Sequence, residues 1–219
     1  RPGIKPDTVD KWWDENDGLK PRQVVNTATY TLSEASAQRT HETRPAGVRA
    51  LILYPMNALV EDQMSRLRKA LDSDDTRLWL SNESNGNAIY FGRYNGISPI
   101  PGELRTLTVN GAKLNSNKVN QLKQRLRIIE EDATRVQQYI DNNNIQPKEA
   151  KDLKSFFQRL DGAEMRSRFD MQLCPPDILI TNYSMLSIML MRQIDSGIFD
   201  NTRAWLAGED LSEENRDAE

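Results

Sequence analysis

Two stretches of the chain place a short apolar run directly before a sharp turn and a segment with helical periodicity. The first run covers residues 48–54 and stops at Pro55, and residues 57–71 then carry apolar side chains at helical spacing. The second run ends at Thr181 and leads into an apolar helical segment from Met185. A short continuous apolar run is typical of a strand buried in a parallel sheet. The pattern therefore predicts two strand–turn–helix units of an α/β fold.

The pattern between these two units is weaker. Residues 76–80 and 88–91 are predicted to form two more strands, with the polar residues 81–87 as the turn between them. Residues 92–96, which begin and end with glycine, are predicted to leave the second of these strands as a loop. At the other end of the core, Ser184 is the predicted N-cap of the last helix.

Residues 115–140 have a different periodicity, with apolar positions in steps of three and four on an otherwise charged segment. This spacing predicts a long helix with a heptad-like seam. The seam positions are Val119, Leu122, Leu126, Ile129, Ala133, Val136 and Ile140. Three asparagines at 142–144 end it, and Pro147 lies where a second helix would begin. Together the two segments predict an antiparallel helical hairpin that projects from the α/β core.

These elements divide the chain into four parts. Residues 47–110 and 166–207 are predicted to form the α/β core, and residues 111–165 the inserted hairpin. Residues 1–46 are expected to be peripheral and partly irregular. Residues 208–219 are acidic and lack large apolar side chains apart from one leucine, so we expect a mobile tail.

Composition excludes several classes of protein. The 219 residues hold 29 Lys and Arg against 32 Asp and Glu, which excludes a globally basic nucleic-acid binder but not a local basic patch. A single cysteine and a single histidine exclude a disulfide framework and a Cys/His zinc site. No apolar run approaches the ~20 residues of a membrane span. We therefore expect a soluble, cytoplasmic protein with no membrane partner and no metal ligands.

The predicted hairpin carries a small positive excess. Between residues 113 and 170 there are twelve basic and nine acidic residues, and four of the basic ones cluster with no acid among them. These four are Lys118, Lys123, Arg125 and Arg127. The cluster is open to two interpretations, an arm that touches a nucleic acid or a partner subunit, or a solvated helix face. The interleaved acids favour the solvated face.

The two sharp turns are candidate sites for an anion. In an open parallel sheet, ligands bind beyond the carboxyl ends of the strands. Helix N-terminal amides at that edge suit phosphate groups. Most such turns bind nothing, so the spacing alone does not decide between a binding site and a plain connection.

Three motifs identify a family resemblance. Residues 54–63 read Tyr-Pro-Met-Asn-Ala-Leu-Val-Glu-Asp-Gln, residues 91–96 read Phe-Gly-Arg-Tyr-Asn-Gly, and residues 175–186 read Pro-Pro-Asp-Ile-Leu-Ile-Thr-Asn-Tyr-Ser-Met-Leu. In this order they resemble motif Ia, a Gly-containing loop and the later Thr-centred motif of the first RecA-like domain of superfamily 2 helicases, the DEAD/DEAH-box type. Within that superfamily, the motifs most resemble those of large prokaryotic helicases from defence or repair systems.

The resemblance implies a partial RecA-like sheet with flanking helices, in an ATP-driven helicase or translocase. It also implies contacts to the nucleic-acid backbone, which are independent of base sequence, with DNA favoured as the partner. The residues that it assigns to these contacts are Pro55, Asn57, Ala58, Gln63, Gly92, Arg93, Tyr94, Thr181, Asn182 and Ser184. For Tyr183, core packing is favoured over a role in stacking on bases.

The catalytic parts of such a motor are missing from this sequence. It contains no Gly-x-x-x-x-Gly-Lys-Ser/Thr phosphate loop and no Asp-Glu-x-His or Asp-Glu-x-Asp motif after an apolar strand. ATP binding, Mg²⁺ and hydrolase activity are therefore expected of a parent protein, and this chain alone is expected not to hydrolyse ATP. We expect it to be an interior piece of that protein, with an open sheet edge.

An alternative from another class is a protein-interaction module. In this hypothesis the hairpin is the docking surface for a protein partner, through the seam that contains Leu122, Leu126 and Ile129, and the α/β core is a scaffold.

Overall fold

The computed structural model of the chain describes residues 38–39, 42–55, 58–99, 105–108 and 111–209. The strands are β1 (Ala50–Leu53), β2 (Phe91–Tyr94), β3 (Arg105–Thr108), β4 (Gly111–Leu114) and β5 (Ile178–Thr181). The helices are α1 (Ala58–Leu71), α2 (Asp74–Glu83), α3 (Ser116–Asn142), α4 (Pro147–Lys154), α5 (Arg168–Leu173), α6 (Tyr183–Met191) and α7 (Ser196–Ala207), with a short 3₁₀ helix at Gln193–Asp195. Asn57, most of the predicted segment 1–46 and all but the first two residues of the predicted tail lie outside the described residues.

A three-stranded parallel sheet forms the centre of the fold. Its strand order is β1-β5-β2, and both outer strands run parallel to the central β5. Strands β3 and β4 form a separate antiparallel pair that the sequence pattern did not predict. The predicted α/β class, with a parallel sheet, flanking helices and an inserted helical pair, is confirmed.

The two faces of the sheet are covered by different helices. Arg93 lies on one face, where it forms an ion pair with Glu61 of α1. Its neighbour Gly92 lies on the opposite face, against Met171 of α5. The buried core spans both faces and includes Val60, Met64, Phe91, Tyr94, Leu179, Ile180, Met189 and Ile198. Because α1 and α5 each bury apolar side chains on the sheet, the architecture is a sheet between two helical layers.

Strand β1 is less buried than its continuous apolar run predicted. Leu51 and Leu53 are each 46% exposed, whereas Leu179 in the central strand is 1% exposed. The reason is position, because β1 is an edge strand of the described sheet, and no described helix covers the face that carries Leu51 and Leu53. The apolar run indicates a strand, but it does not tell an edge from a centre.

The strand predicted at residues 76–80 is wrong, because these residues lie inside helix α2. The side chain of Ser73 caps this helix by accepting a hydrogen bond from the backbone N–H of Thr76. Asp74 and Asp75 occupy the first turn, where negative charge favours a helix. Leu80 is buried on the inner face and Trp79 is exposed.

The inserted helices follow the predicted seam. Its buried members are Leu122, Leu126, Ile129, Val136 and Ile140. Helix α4 ends at Lys154, earlier than the pattern suggested, and it lies against α1 and α2 instead of projecting. Lys151 and Lys154 form ion pairs at 3.2 Å with Asp75 and Asp74 of α2. None of the described helices is both long and apolar enough to cross a lipid bilayer.

The described end of the segment 1–46 packs into the body of the protein. The side-chain amide of Gln38 donates to the carbonyl oxygens of Gly162 and Glu164, at 3.0 and 2.8 Å. Its oxygen accepts from the backbone N–H of Arg166 at 3.1 Å. Gln38 thus fastens this segment to the strand-like stretch that leads from α4 to α5.

Burial of Asp170 gives the fold a pH-dependent stability. Burial raises the pKa of this carboxyl from its ordinary value near 3.8 to about 6, although Arg166 and Ser167 oppose the shift. Between about pH 4 and 6 the folded chain therefore binds a proton that the unfolded chain has released, and the free energy of unfolding falls as pH rises through this range.

Asp170→Asn is expected to flatten this decline, because asparagine resembles the protonated acid and can still accept the hydrogen bond from the hydroxyl of Ser167. Urea denaturation at a series of pH values measures the slope. The flattening is partial, since burial also raises the pKa of Asp72 to about 6. The exposed substitution Asp200→Asn is the control, and an identical slope in Asp170→Asn and the unmodified chain would contradict the prediction.

Candidate nucleic-acid interface

The three predicted motifs meet at one edge of the sheet. Leu53, Thr181 and Tyr94 are the last residues of β1, β5 and β2, and they are partners in register across the sheet. Helix α1 begins at Ala58 and helix α6 at Tyr183, so both start just beyond this carboxyl edge. The Thr-centred motif lies in the middle, with the Pro55 turn on one side and the segment after β2 on the other.

Thr181 holds the three strand ends together. Its hydroxyl donates a hydrogen bond to the carbonyl oxygen of Tyr94 at 2.6 Å. Its own carbonyl oxygen accepts from the backbone N–H of Tyr54 at 2.9 Å. The side chain is 1% exposed, so its hydroxyl positions the edge and does not face solvent.

The residues after Thr181 form the accessible part of the edge. The side-chain oxygen of Asn182 accepts from the backbone N–H of Met185 at 2.8 Å, so Asn182 caps helix α6. The predicted N-cap, Ser184, is wrong, because this exposed residue lies inside the first turn. Tyr183 is 76% exposed, so the favoured assignment to the core is also wrong. The amides of Tyr183 and Ser184 in this first turn have no acceptor within the helix and can bind an anion.

The Pro55 turn contributes a smaller described surface. Pro55 is exposed just beyond β1, and the next described residue, Ala58, begins α1. Asn57, which the resemblance assigns to a phosphate, lies outside the described residues. Gln63 is half-buried on α1, two residues beyond Glu61.

Gly92 and Tyr94 lie within strand β2, so the predicted loop at 92–96 is wrong for its first three residues. A Cβ atom on Gly92 would be 2.7 Å from the sulfur of Met171 and 2.9 Å from the Cβ of Met165. This glycine therefore allows close packing. Tyr94 is fully buried, and its hydroxyl donates to Asp195 and accepts from Gln172. Burial first, and then the Asp195 carboxylate, raise the pKa of Tyr94.

The loop that follows β2, at residues 95–98, is a tight turn held by side-chain hydrogen bonds. The side-chain oxygen of Asn95 accepts from the backbone N–H groups of Ile97 and Ser98, each at 3.1 Å. The hydroxyl of Ser98 donates to the carbonyl oxygen of Arg93 at 2.6 Å. Asparagine commonly closes turns in this way, and the Asn-Gly pair was the sequence signal for it.

Arg93 brings positive charge to the β2 end of the edge. Its guanidinium forms an ion pair with Glu61, whose side chain is 59% exposed. Burial lowers the pKa of Arg93, Glu164 opposes this, and the positive charge of Arg125 adds to it. Sequence reasoning singled out Arg93 but not Glu61, because only the packing of α1 on the sheet brings the two together.

The described residues contain no group of three or more His, Cys, Asp or Glu side chains that could hold a metal ion. Within them, the edge offers helix amides, hydroxyl and amide side chains and a paired arginine. This set binds anions through hydrogen bonds and charge, and it contains no arrangement for covalent catalysis.

Comparisons with known proteins give one curated relative. No protein-family model matches the chain, and no solved structure matches it. Druantia protein DruE from Escherichia coli (strain UMEA 4076-1) is 30% identical over an alignment of 207 residues, and the match covers 83% of this chain. The chain spans 11% of the length of that protein. The sequence is therefore similar to one section of a much longer protein, Druantia protein DruE.

Proposed function

We propose that this chain forms part of the nucleic-acid-binding surface of a larger ATP-dependent helicase or translocase that acts in a prokaryotic defence system. The observation that carries the proposal is the meeting of three helicase-like motifs at the carboxyl edge of one parallel sheet. The similarity to a Druantia protein supports the defence role. ATP, Mg²⁺ and the hydrolase activity belong to other parts of the larger protein.

In this proposal the edge binds the phosphate backbone of a single strand. The first-turn amides of α6 and the hydroxyl of Ser184 bind one phosphate, and the exposed ring of Tyr183 lies beside it. The turn at Pro55 and the charge of Arg93 flank this contact on either side. Thr181, Tyr94 and Gly92 support the edge from inside. Such contacts do not read the base sequence.

The alternative, docking of a protein through the hairpin seam, has lost its main support. Leu122 and Leu126 are each 1% exposed and Ile129 is 3% exposed. A partner could reach these side chains only after the hairpin had detached from the body. We therefore place the working surface at the sheet edge.

Ser184→Glu is expected to weaken binding of a labelled single strand of DNA by at least about tenfold, because it puts a carboxylate where the phosphate would lie. The substitution should not harm folding, since an acidic residue in the first turn favours a helix. Fluorescence anisotropy at several salt concentrations measures the affinity, with DNA and RNA strands of the same sequence compared.

The matched control is Ser81→Glu, an exposed serine on α2 away from the edge. Equal affinity in the unmodified chain, Ser81→Glu and Ser184→Glu would remove the edge from the binding surface. A folded chain that binds neither DNA nor RNA would overturn the proposal as a whole.

A further inference from the structure

The first half of helix α3 differs in charge from its second half. Lys118, Lys123 and Arg125 form no ion pair within the described part of the chain. In the second half, Arg135 pairs with Glu131 and Asp132. At these three positions the first half of α3 therefore carries positive charge without a paired acid. The second half is net acidic, since it holds four acidic residues and one arginine.

Arg125 points toward the body of the protein. It lies three residues after Leu122 and four before Ile129, both of which are buried, so it shares their face of the helix. Its Nε atom is inaccessible to solvent and has no hydrogen-bond partner among the residues that the structure describes. A buried donor without an acceptor destabilises a fold, and such a group in a native structure calls for an explanation.

The same region already holds the guanidinium of Arg93, and the two positive charges act on each other. The acids nearby do not balance them. Glu61 pairs with Arg93, and Glu164 is bound by Arg68 through two hydrogen bonds of 2.6 and 3.1 Å. Arg93 therefore has a carboxylate at Glu61, whereas Arg125 pairs with no acid among the described residues, and an additional anion would neutralise its charge.

We propose that Lys118 and Arg125, which lie seven residues apart on one side of helix α3, bind further phosphates of the same nucleic-acid strand, so that the binding surface continues from the sheet edge past Arg93 onto α3. This inference rests on the proposed function, because it extends the path of the strand bound at that edge. The interleaved acids that favoured a solvated face in the sequence all lie beyond residue 129, on the second half of α3 and after it.

The test compares the salt dependence of single-stranded DNA binding in the unmodified chain, Arg125→Gln, Lys118→Gln and Arg135→Gln. Each lost phosphate contact should reduce the log–log slope by about 0.7. We expect this reduction in Arg125→Gln and Lys118→Gln and no change in Arg135→Gln. Lys118 is half-exposed, so its variant keeps the test valid if Arg125→Gln does not fold.

The outcomes separate this inference from the function on which it rests. Slopes that stay at the unmodified value in both Arg125→Gln and Lys118→Gln, while Ser184→Glu still weakens binding, would overturn the inference and leave the proposed function standing. An equal reduction of the slope in Arg135→Gln would also overturn it, because the effect would then depend on net charge and not on the position of the residue. A folded chain without any binding would overturn both.

Discussion

Asp177→Ala is expected to lower the free energy of unfolding by about 3–5 kcal/mol, because it removes one of the two carboxylates of a buried arginine cluster and the acceptor of a buried backbone N–H. Asp177 is 2% exposed. One carboxylate oxygen accepts from Arg49 at 2.7 Å. The other accepts from the backbone N–H of Tyr90 at 2.7 Å and lies 3.5 and 3.4 Å from the guanidinium groups of Arg39 and Arg44.

The backbone of Asp177 increases the effect of this cluster on the sheet. Its carbonyl oxygen accepts from the N–H groups of Arg49 and Ala50, each at 2.8 Å, at the start of β1. The residue therefore joins the amino ends of β1 and β5 to the chain that precedes β2. Loss of its carboxylate is expected to loosen all three strands at once.

Urea denaturation of Asp177→Ala against the unmodified chain measures the loss. Asp200→Ala is the matched control, because Asp200 is also paired with an arginine, Arg203, but its side chain is 58% exposed. An exposed pair of this kind contributes at most about 1 kcal/mol. A loss in Asp177→Ala no larger than in Asp200→Ala would contradict the assigned role.

Asp177 also illustrates how far sequence reasoning reached. It belongs to the motif that predicted strand β5. The strand is in the predicted place, and the helix that follows begins two residues earlier than predicted. The role of the aspartate was invisible, because its partners come from residues 39–49 and 90, far away in the chain. Local patterns predict elements well, but a buried ion cluster depends on which elements the fold brings together.

For a related reason, the sequence could not predict which side chains of β5 and the following turn are buried and which are exposed. Alternation of apolar and polar residues tells which side of a strand is buried. The run Ile178–Thr181 has almost no alternation, so nothing marked Thr181 as inward. Nothing marked Tyr183 as outward either, because an aromatic residue in an apolar segment is normally a core residue. The three motifs meet at one edge of the sheet, as the sequence predicted. Thr181 is buried there and Tyr183 is exposed, which is the reverse of what was expected.

The error at residues 76–80 had a signal that could have prevented it. Leu78, Trp79 and Leu80 look like a strand in isolation. Ser73 followed by Asp74 and Asp75, however, is a sequence typical of a helix start. The start signal was the better guide, because capping acts on the backbone regardless of which side chains follow.

The second large effect is expected at the buried pair of Arg68 and Glu164. Arg68 Nε donates to one carboxylate oxygen at 2.6 Å and Nη2 to the other at 3.1 Å, and the side chains are 9% and 4% exposed. Arg68 Nη1 also donates to the carbonyl oxygens of Ser155 and Phe156 at 3.3 Å. This arginine of α1 thus fastens the end of the inserted hairpin to the core.

Glu164→Leu and Arg68→Met are each expected to lower the free energy of unfolding by about 3–5 kcal/mol, since each leaves one buried charge alone. The double variant is expected to lose less than either single variant. Its two apolar side chains have volumes close to those they replace, and no unpaired charge remains. Urea denaturation of the four proteins forms a double-mutant cycle that isolates the coupling.

Losses that add within about 0.5 kcal/mol would show that the two side chains act independently and would contradict the pairing.

The double variant, if it is stable, also tests the role of the hairpin in binding, because it has lost the hydrogen bonds to Ser155 and Phe156. It keeps the core folded while releasing one attachment of the hairpin. If α3 is part of the binding surface, that release should weaken single-strand binding even though the sheet edge is intact.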